Sequence, residues 1–227
     1  MDGLKKISYS QYALWKQCPY QWKIQYVDGI RDFTDSIHTL FGTSMHEVIQ
    51  TFLHVMYTET AKKAESLDLE DLLRVRMKKN FESAVKNNGG EMFCTEKDMV
   101  EFYVHGTEIL NFLKKKRGQY FSKKGYELLG IEVKLDYDLP NNLKFIGYLD
   151  VVIKDTVRNV IKIYDIKTST MGWNKYVKAD SNKTDQLLLY KQFYAKQYDH
   201  PVDKVEVEYF ILKRKLYENL DYPQKRV

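Results

Sequence analysis

Two neighbouring runs of β-forming residues, 147–153 and 163–169, each carry one carboxylate beside apolar side chains. Asp150 lies at the edge of the first run, and Asp165 lies in the second run, two residues before Lys167. Residues i and i+2 of a strand point to the same face, so Asp165 and Lys167 should emerge side by side. A carboxylate in such a setting is costly unless a partner, a metal or solvent compensates it. The pattern therefore indicates a site for a hard divalent cation and an anionic substrate.

The chain from residue 126 onward has the alternation of a β-sheet. Turn residues at 140–142 and 155–159 should join the first three strands into an antiparallel meander, and a helix precedes the last strand. The predicted strands cover 127–138, 143–153, 160–167 and 205–212, and the predicted helix runs from about 186 to 198.

The chain ahead of this sheet is predicted to be helical, with Pro19 in the first turn of a second short helix. Short polar residues predict where helices start; the candidates are Ser8 or Ser10, Thr43 or Ser44, Asp68, and Thr184 or Asp185. Another long helix should run from about 95 to 121. We expect a single α/β domain over residues 1–227, in which a helical insertion at 58–125 precedes a mixed sheet core at 126–212 flanked by helices.

The composition is that of a folded globular protein, with 44% hydrophobic and 30% charged residues and a net charge of +5. This charge permits a nucleic-acid partner without requiring one. Cys18 and Cys94 are too few and too far apart for a secreted disulfide framework or a cysteine-only metal site. No signal peptide or membrane-length apolar run is seen, so we expect no membrane partner and a cytoplasmic protein, in the host cytoplasm if the protein is viral.

Three features have both a structural and a functional interpretation. Aromatic residues recur between Tyr12 and Tyr26, and they form either a small core or a cap on the main core, or else a path for stacked bases. His46 lies beside the apolar stripe of its helix and is either a packed or capping residue or a metal ligand. A basic cluster lies at the end of the long helix and is either a solvated helix end or a set of phosphate contacts. It comprises Lys114, Lys115, Lys116, Arg117, Lys123 and Lys124.

Five motifs together are more specific than any of them alone. In chain order they are Ser-Tyr-Ser through Cys-Pro at 8–19, Gly-Thr-Ser-Met-His at 42–46, Gly-Tyr-Leu-Asp at 147–150, Asp-Ile-Lys at 165–167 and Gln-Leu-Leu-Leu-Tyr at 186–190. In content and order, this set resembles the PD-(D/E)XK nucleases. The similarity is to their RecB-like branch, which includes the AddAB nuclease domains and the CRISPR adaptation exonucleases. The resemblance implies a restriction-endonuclease-like fold.

The resemblance also implies roles for individual residues. His46, Asp150, Asp165 and the backbone carbonyl of Ile166 would bind one or two Mg²⁺ or Mn²⁺ ions. Lys167 would orient the attacking water and stabilise charge developing on phosphorus. Gln186 and Tyr190 would support the site and contact the substrate. Glu132, on the polar face of the preceding predicted strand, is either a ligand of a second ion or there by sheet geometry alone.

The chain departs from the pattern of several RecB-like members in one respect. They hold an iron–sulfur cluster through one cysteine near the N-terminus and three near the C-terminus, whereas here Cys18 matches the first and no cysteine follows Cys94. We therefore expect no iron–sulfur cluster. A Gly-x-x-x-x-Gly-Lys-Ser/Thr motif is absent, so nucleotide-driven translocation would require a helicase or recombination partner.

The function that we expect is a metal-dependent DNA nuclease. By analogy with the family, we expect an exonuclease in DNA recombination, repair or processing. The alternatives are a structure-selective endonuclease and a non-catalytic DNA-binding or assembly subunit that retains the fold.

Overall fold

The computed structural model describes residues 5–30, 35–216 and 227. They form a mixed α/β fold, with a five-stranded sheet flanked by helices, and so confirm the predicted fold class. The strands are β1 (Lys5–Ile7), β2 (Tyr126–Leu139), β3 (Leu143–Asp155), β4 (Val160–Ser169) and β5 (Val205–Lys213).

The sheet is organised around β3, which is bonded to three other strands. Its neighbours are β1, β2 and β4, and β4 is followed in the sheet by β5. β1 runs parallel to β3, and β4 runs antiparallel to it with Val151 opposite Tyr164 and Asp155 opposite Val160. The four predicted strands are confirmed, whereas β1 was not predicted because three residues are too few to show an alternating pattern.

The helices are α1 (Tyr9–Gln17), α2 (Pro19–Trp22), α3 (Ile37–Thr58), α4 (Ala61–Ser66), α5 (Leu69–Asn87), α6 (Glu96–Tyr120), α7 (Lys175–Lys178) and α8 (Ser181–Gln197). A π-helical turn follows α2 at Lys23–Val27, and a 3₁₀ turn at Val202–Lys204 precedes β5. The predicted starts at Ser8, Pro19 and Asp68 are confirmed. Thr95 and Asp98 form a reciprocal capping box at the start of α6.

Two predicted helix starts are wrong. α3 begins seven residues before Ser44, because the side chain of Ser36 accepts the backbone N–H of Thr39 and caps the helix there. Ser44 lies inside α3, buried, with its hydroxyl donating to the Leu40 carbonyl at 2.8 Å. α8 likewise begins before Thr184, with Asp180 as its N-cap. A capping residue and a mid-helix hydroxyl have the same sequence signal.

The chain divides into two compact units. Among the described residues, the sheet unit consists of 5–30, 129–165 and 174–208, and the helical unit of 35–128, 166–173 and 209–216. β2, β4 and β5 each continue from one unit into the other. A helical insertion with bounds 58–125 and a sheet core with bounds 126–212 stay predictions.

Each unit has its own core. In the sheet unit, apolar residues of β2, β3 and β4 pack against α8, with Phe145 and Phe193 stacked at a centroid distance of 4.3 Å. In the helical unit, α3 packs against α4, α5 and α6, and buries Met45, Ile49 and Phe52. No helix in the described part of the chain has the length and apolar character needed to cross a bilayer.

The aromatic residues of α1 and α2 do not form the small core that one interpretation assigned to them. Tyr12, Trp15 and Tyr20 are 39%, 51% and 72% exposed. No residue of either helix is buried. The small-core interpretation is therefore wrong for these three side chains.

Candidate functional site

The register of β3 and β4 brings two buried carboxylates together in the sheet unit. Val151 lies opposite Tyr164, and Asp150 and Asp165 are the next residues of the two strands. The same register, continued by one residue, would set these two side chains opposite each other on one face. Both lie near Tyr190, whose pKa their charges raise. Asp150 is 9% exposed and Asp165 is 3% exposed. The sheet unit thus holds two like-charged groups close together and largely out of water.

Helix α8 supplies polar contacts to this pair. The side-chain amide of Gln186 donates to Asp165 Oδ1 at 3.1 Å and to the Tyr190 hydroxyl at 3.2 Å. Gln186 and Tyr190 are four residues apart and therefore share one face of the helix. The amide fixes one carboxylate oxygen of Asp165 without cancelling its charge, since its donor is neutral.

Tyr190 is held as a neutral phenol. Burial raises the pKa of Tyr190 to about 12, and the nearby charges of Asp165 and Asp150 add to the rise, while the hydrogen bond from Gln186 opposes it. Its hydroxyl therefore stays protonated across the neutral pH range.

Gly147 allows Tyr190 to approach β3. A Cβ atom at position 147 would lie 3.2 Å from Tyr190 Cε1 and 3.3 Å from Phe145 Cε1, closer than ordinary van der Waals contact. The glycine of the Gly-Tyr-Leu-Asp motif is thus explained by packing: a side chain there would displace the ring that lies beside Asp150 and Asp165.

Three more residues that the resemblance assigns to the site, His46, Ile166 and Lys167, lie on elements of the helical unit. Lys167 is half-buried on β4, two residues beyond Asp165, in the part of the strand that belongs to that unit. Ile166 lies between these two residues in the sequence and is fully buried, and its backbone carbonyl is a predicted metal ligand. His46 is half-buried on α3, beside the buried Met45.

A family profile decides the identity of the fold. The profile of the PD-(D/E)XK nuclease superfamily matches residues 6–226, which is nearly the whole chain. The protein belongs to the PD-(D/E)XK nuclease superfamily. Comparison with curated proteins gives no significant match. The superfamily consists of metal-dependent nucleases that hydrolyse DNA, so the coarse expectation of a hydrolytic nuclease is confirmed.

The two aspartates of this PD-(D/E)XK chain fit a hard divalent cation. Among the residues that the structure describes, no three His, Cys, Asp or Glu side chains are grouped as a metal centre. Mg²⁺ does not need such a cage, because it keeps several waters and is usually held by one or two carboxylates together with substrate phosphates. Asp150 and Asp165 supply two such carboxylates on one face of the sheet.

Glu132 lies at an irregular point of β2. Its side chain is exposed and its backbone has a φ of 51°, in the left-handed region that residues other than glycine rarely adopt. A Cβ at Gly130 would lie 2.5 Å from Val133 Cγ2, so the chain folds closely on itself here. Simple alternation, on which the prediction for Glu132 depended, therefore does not hold at this point of β2. Its ligand role remains a prediction.

The basic cluster at the end of α6 is partly engaged in contacts within the helical unit. Lys114 Nζ donates to the Leu67 carbonyl at 2.9 Å, and Arg117 pairs with Glu65 at 2.5 Å. Lys123 lies over the ring of Tyr126. Lys115 and Lys124 are exposed, and Lys116 is half-buried. DNA contact by this cluster stays a prediction, and the structure gives Lys114 and Arg117 a structural role of their own.

Sequence reasoning missed the part played by Tyr9. Its hydroxyl donates to the Asn182 carbonyl in the first turn of α8, and so connects the start of α1 to the helix that carries Gln186 and Tyr190. Burial and the charges of Asp185 and Asp180 raise the pKa of Tyr9. Its place within the Ser-Tyr-Ser motif was the one signal in the sequence.

Proposed function

We propose that the protein is a divalent-metal-dependent deoxyribonuclease of the RecB-like kind, an exonuclease that acts in DNA recombination, repair or processing. The observation that carries the proposal is the pair Asp150 and Asp165, buried on facing strands with Gln186 bonded to one of them. The family match over residues 6–226 supports the nuclease activity, and analogy alone supports the exonuclease preference.

In this proposal the carboxylates of Asp150 and Asp165 hold Mg²⁺ or Mn²⁺, together with His46 and the Ile166 carbonyl. A divalent ion lowers the pKa of a water and neutralises charge on the phosphate being cleaved. Histidine can serve as a ligand only when its imidazole is neutral, so occupancy should fall in acid as His46 and the carboxylates take up protons.

The other side chains act through charge and orientation. Lys167 holds the attacking water and places a positive charge where the transition state gains negative charge. Gln186 keeps Asp165 in one orientation through its bond to Oδ1. Tyr190, neutral because burial and both aspartates raise its pKa, offers a hydroxyl to the substrate without adding charge.

A substrate panel tests the proposal. End-labelled single-stranded and double-stranded linear DNA and closed circular DNA are incubated with the protein and Mg²⁺ or Mn²⁺. We expect degradation of linear DNA that falls by at least about 10²-fold in Asp165→Asn and Lys167→Ala, a loss typical of removing one stabilising group from an active site. Asp138→Asn, an exposed carboxylate on β2 of the same sheet unit, is the matched control and should retain activity.

The outcomes separate the candidate functions. Survival of circular DNA alongside loss of linear DNA supports the exonuclease; cleavage of circles indicates an endonuclease. Cleavage equal in wild type and Asp165→Asn would mean a contaminating enzyme and would remove the support for catalysis. Tight, metal-independent DNA binding without turnover would point to a non-catalytic binding subunit.

A further inference from the structure

A cavity of about 150 Å³ lies within the helical unit. The residues that line it are different from those of the carboxylate pair. Its walls come from the first turns of α3 (His38 and Phe41), from Phe102 of α6, from residues 168–170 at the end of β4, and from Arg214 after β5. Two phenyl rings, one imidazole, three hydroxyl-bearing residues and one guanidinium therefore line the same small space. None of these residues has a role predicted from the sequence.

Arg214 is the decisive residue of this wall, because it is a charged side chain that is only 6% exposed. Its guanidinium carbon lies 3.8 Å from the centroid of the Phe102 ring. Its Nη1 lies 2.7 Å from Glu101 Oε1 and 3.1 Å from His105 Nδ1. These contacts hold the guanidinium plane in one orientation beside the cavity, so little side-chain freedom is left to be lost when a ligand binds.

Arg214 belongs to a group of interacting charges in the helical unit. Glu101 is shared by two cations, since Lys215 Nζ also approaches its Oε1 at 3.0 Å. Hydrogen bonds from Lys215 and Arg214 lower the pKa of Glu101 to about 2, so it is ionised at neutral pH. Burial and the Arg214 charge lower the pKa of His105, while the charges of Glu101 and Glu108 oppose that shift.

The segment after Lys167 brings hydroxyl groups to the same cavity. Two backbone bonds hold it, from the Arg214 N–H to the Ser169 carbonyl at 2.9 Å and from the Lys215 N–H to the Thr170 carbonyl at 2.7 Å. The Ser169 hydroxyl is used within its own turn, where it contacts both the carbonyl and the N–H of Gly172. Thr168 and Thr170 line the cavity as half-buried residues, and Thr168 Oγ1 lies 3.4 Å from the position of a Cβ at Gly42.

Size and polarity together select the class of ligand. The cavity is smaller than the roughly 300–1,000 Å³ of a typical small-molecule pocket, which excludes a nucleoside and leaves room for a tetrahedral anion. Guanidinium and hydroxyl donors are the groups that bind phosphate oxygens. We propose that this cavity, lined by Arg214, Thr168 and Thr170, binds one phosphate group of the DNA strand. The identification of DNA as the source of the phosphate rests on the proposed function.

Binding of inorganic phosphate tests the cavity without cleavage. Phosphate added to the whole chain should raise the melting temperature, and Arg214→Gln should weaken the apparent phosphate affinity by roughly 10- to 100-fold, as expected for a lost hydrogen bond to a charged group. Lys215→Gln is the matched control: it also removes one positive charge and one contact with Glu101, but Lys215 does not line the cavity. Thr168→Val, which changes shape little, should weaken affinity less and serves if Arg214→Gln does not fold.

Equal phosphate affinity in wild type, Arg214→Gln and Thr168→Val would overturn the proposal. So would equal losses in Arg214→Gln and Lys215→Gln, because general surface charge would then explain the binding. If no variant and no wild type cleaves DNA, yet phosphate binding still depends on Arg214, the proposed nuclease function fails and the phosphate cavity stands.

Oligonucleotides distinguish a terminal phosphate from an internal one. Their affinities are measured in the Asp165→Asn background with 5′-phosphorylated, 3′-phosphorylated and unphosphorylated ends. A preference for one phosphorylated end that is lost in Arg214→Gln assigns the cavity to that terminus. An equal loss of affinity for all three, again restricted to Arg214→Gln and Thr168→Val, assigns it to an internal phosphodiester. No effect of Arg214→Gln on any of them would contradict a role in DNA binding.

Discussion

The two units of the molecule bury charge in different ways. In the sheet unit, Asp150 and Asp165 are like charges on facing strands, and the amide that bonds Asp165 is neutral. In the helical unit, Arg214 is buried against an opposite charge, Glu101, which Lys215 shares. The first arrangement brings together two groups of like charge, and the second brings together groups of opposite charge.

This difference matches the two partners that phosphodiester hydrolysis brings together. A pair of buried carboxylates is unfavourable in isolation and becomes favourable when a divalent cation binds. A partner carboxylate offsets part of the cost of burying an arginine, and a guanidinium is a group that binds phosphate oxygens. The lesson is that a like-charged pair is stronger evidence of a ligand than an oppositely charged pair.

A divalent cation should stabilise the protein through the carboxylate pair Asp150 and Asp165. At a Mn²⁺ concentration 100 times its dissociation constant, a bound ion adds about 2.7 kcal/mol to the free energy of unfolding, or about 5–10 °C in melting temperature for a chain of this length. Asp150→Asn should abolish this shift, as measured by thermal unfolding with and without Mn²⁺.

Glu101→Gln is the contrasting variant in the helical unit. It should lower the melting temperature whether or not Mn²⁺ is present, since it leaves Arg214 buried without its carboxylate. The Mn²⁺ shift itself should persist. A shift that survives in Asp150→Asn, or disappears in Glu101→Gln, would contradict the assignment of the cation to the carboxylate pair.

The pH dependence of this contrast can be worked out from the pKa of Glu101. Its folded-state pKa of about 2 is below its ordinary value of 4.5, so the ionised form is favoured by folding. Its contribution to stability is present above about pH 4.5 and is lost as the pH falls toward 2. Glu101→Gln should therefore flatten the acid decline of stability over that window, and an unchanged decline would show that the Glu101 contacts contribute little to folding.

Alanine substitutions at two glycines, one in each unit, should differ in whether they reduce stability or DNA cleavage. A Cβ at Gly106 of α6 would lie 2.5 Å from Leu73 Cδ2 and 3.0 Å from Phe41 Cε2. Gly106→Ala should therefore destabilise the helical unit by about 1–3 kcal/mol despite the better helix propensity of alanine. Gly147→Ala meets the Tyr190 ring at 3.2 Å and should reduce cleavage more than it reduces stability.

Urea unfolding and DNA cleavage, measured on both variants, check this difference. Full activity in Gly147→Ala would show that the position of Tyr190 is not critical. A neutral effect of Gly106→Ala on unfolding would show that α5 and α3 can move apart to admit a methyl group.

The opposition of the two aspartates could have been predicted from the sequence. The turn between β3 and β4 falls between Asp155 and Val160, which pair. Asp150 precedes the first by as many residues as Asp165 follows the second. Because loop length fixes the register of a hairpin, this equal spacing predicts that the two carboxylates face each other. The sheet was predictable for the same reason: its signals are local in the chain.

Other features of the fold depend on contacts between residues that are distant in the sequence. The start of α3 depended on which of several hydroxyl residues caps the helix, and Ser36 and Ser44 give the same signal although Ser44 is buried. The cavity around Arg214 joins residues from near positions 40, 102, 169 and 214, none of which adjoins another in the sequence. Alternation and spacing carry no information about such long-range contacts.

The smallest expected effect concerns the Tyr190 hydroxyl. Tyr190→Phe keeps the ring against Gly147 and removes only the group that accepts from Gln186. Gln186 still bonds Asp165, so we expect a loss of activity of about tenfold or less, the size of one neutral hydrogen bond. Because the pKa of Tyr190 is about 12, its ionisation cannot shape the activity profile between pH 6 and 10. Cleavage rates of wild type and Tyr190→Phe over that range should therefore run parallel; an alkaline limb that disappears in the variant would mean that the phenol titrates during the reaction.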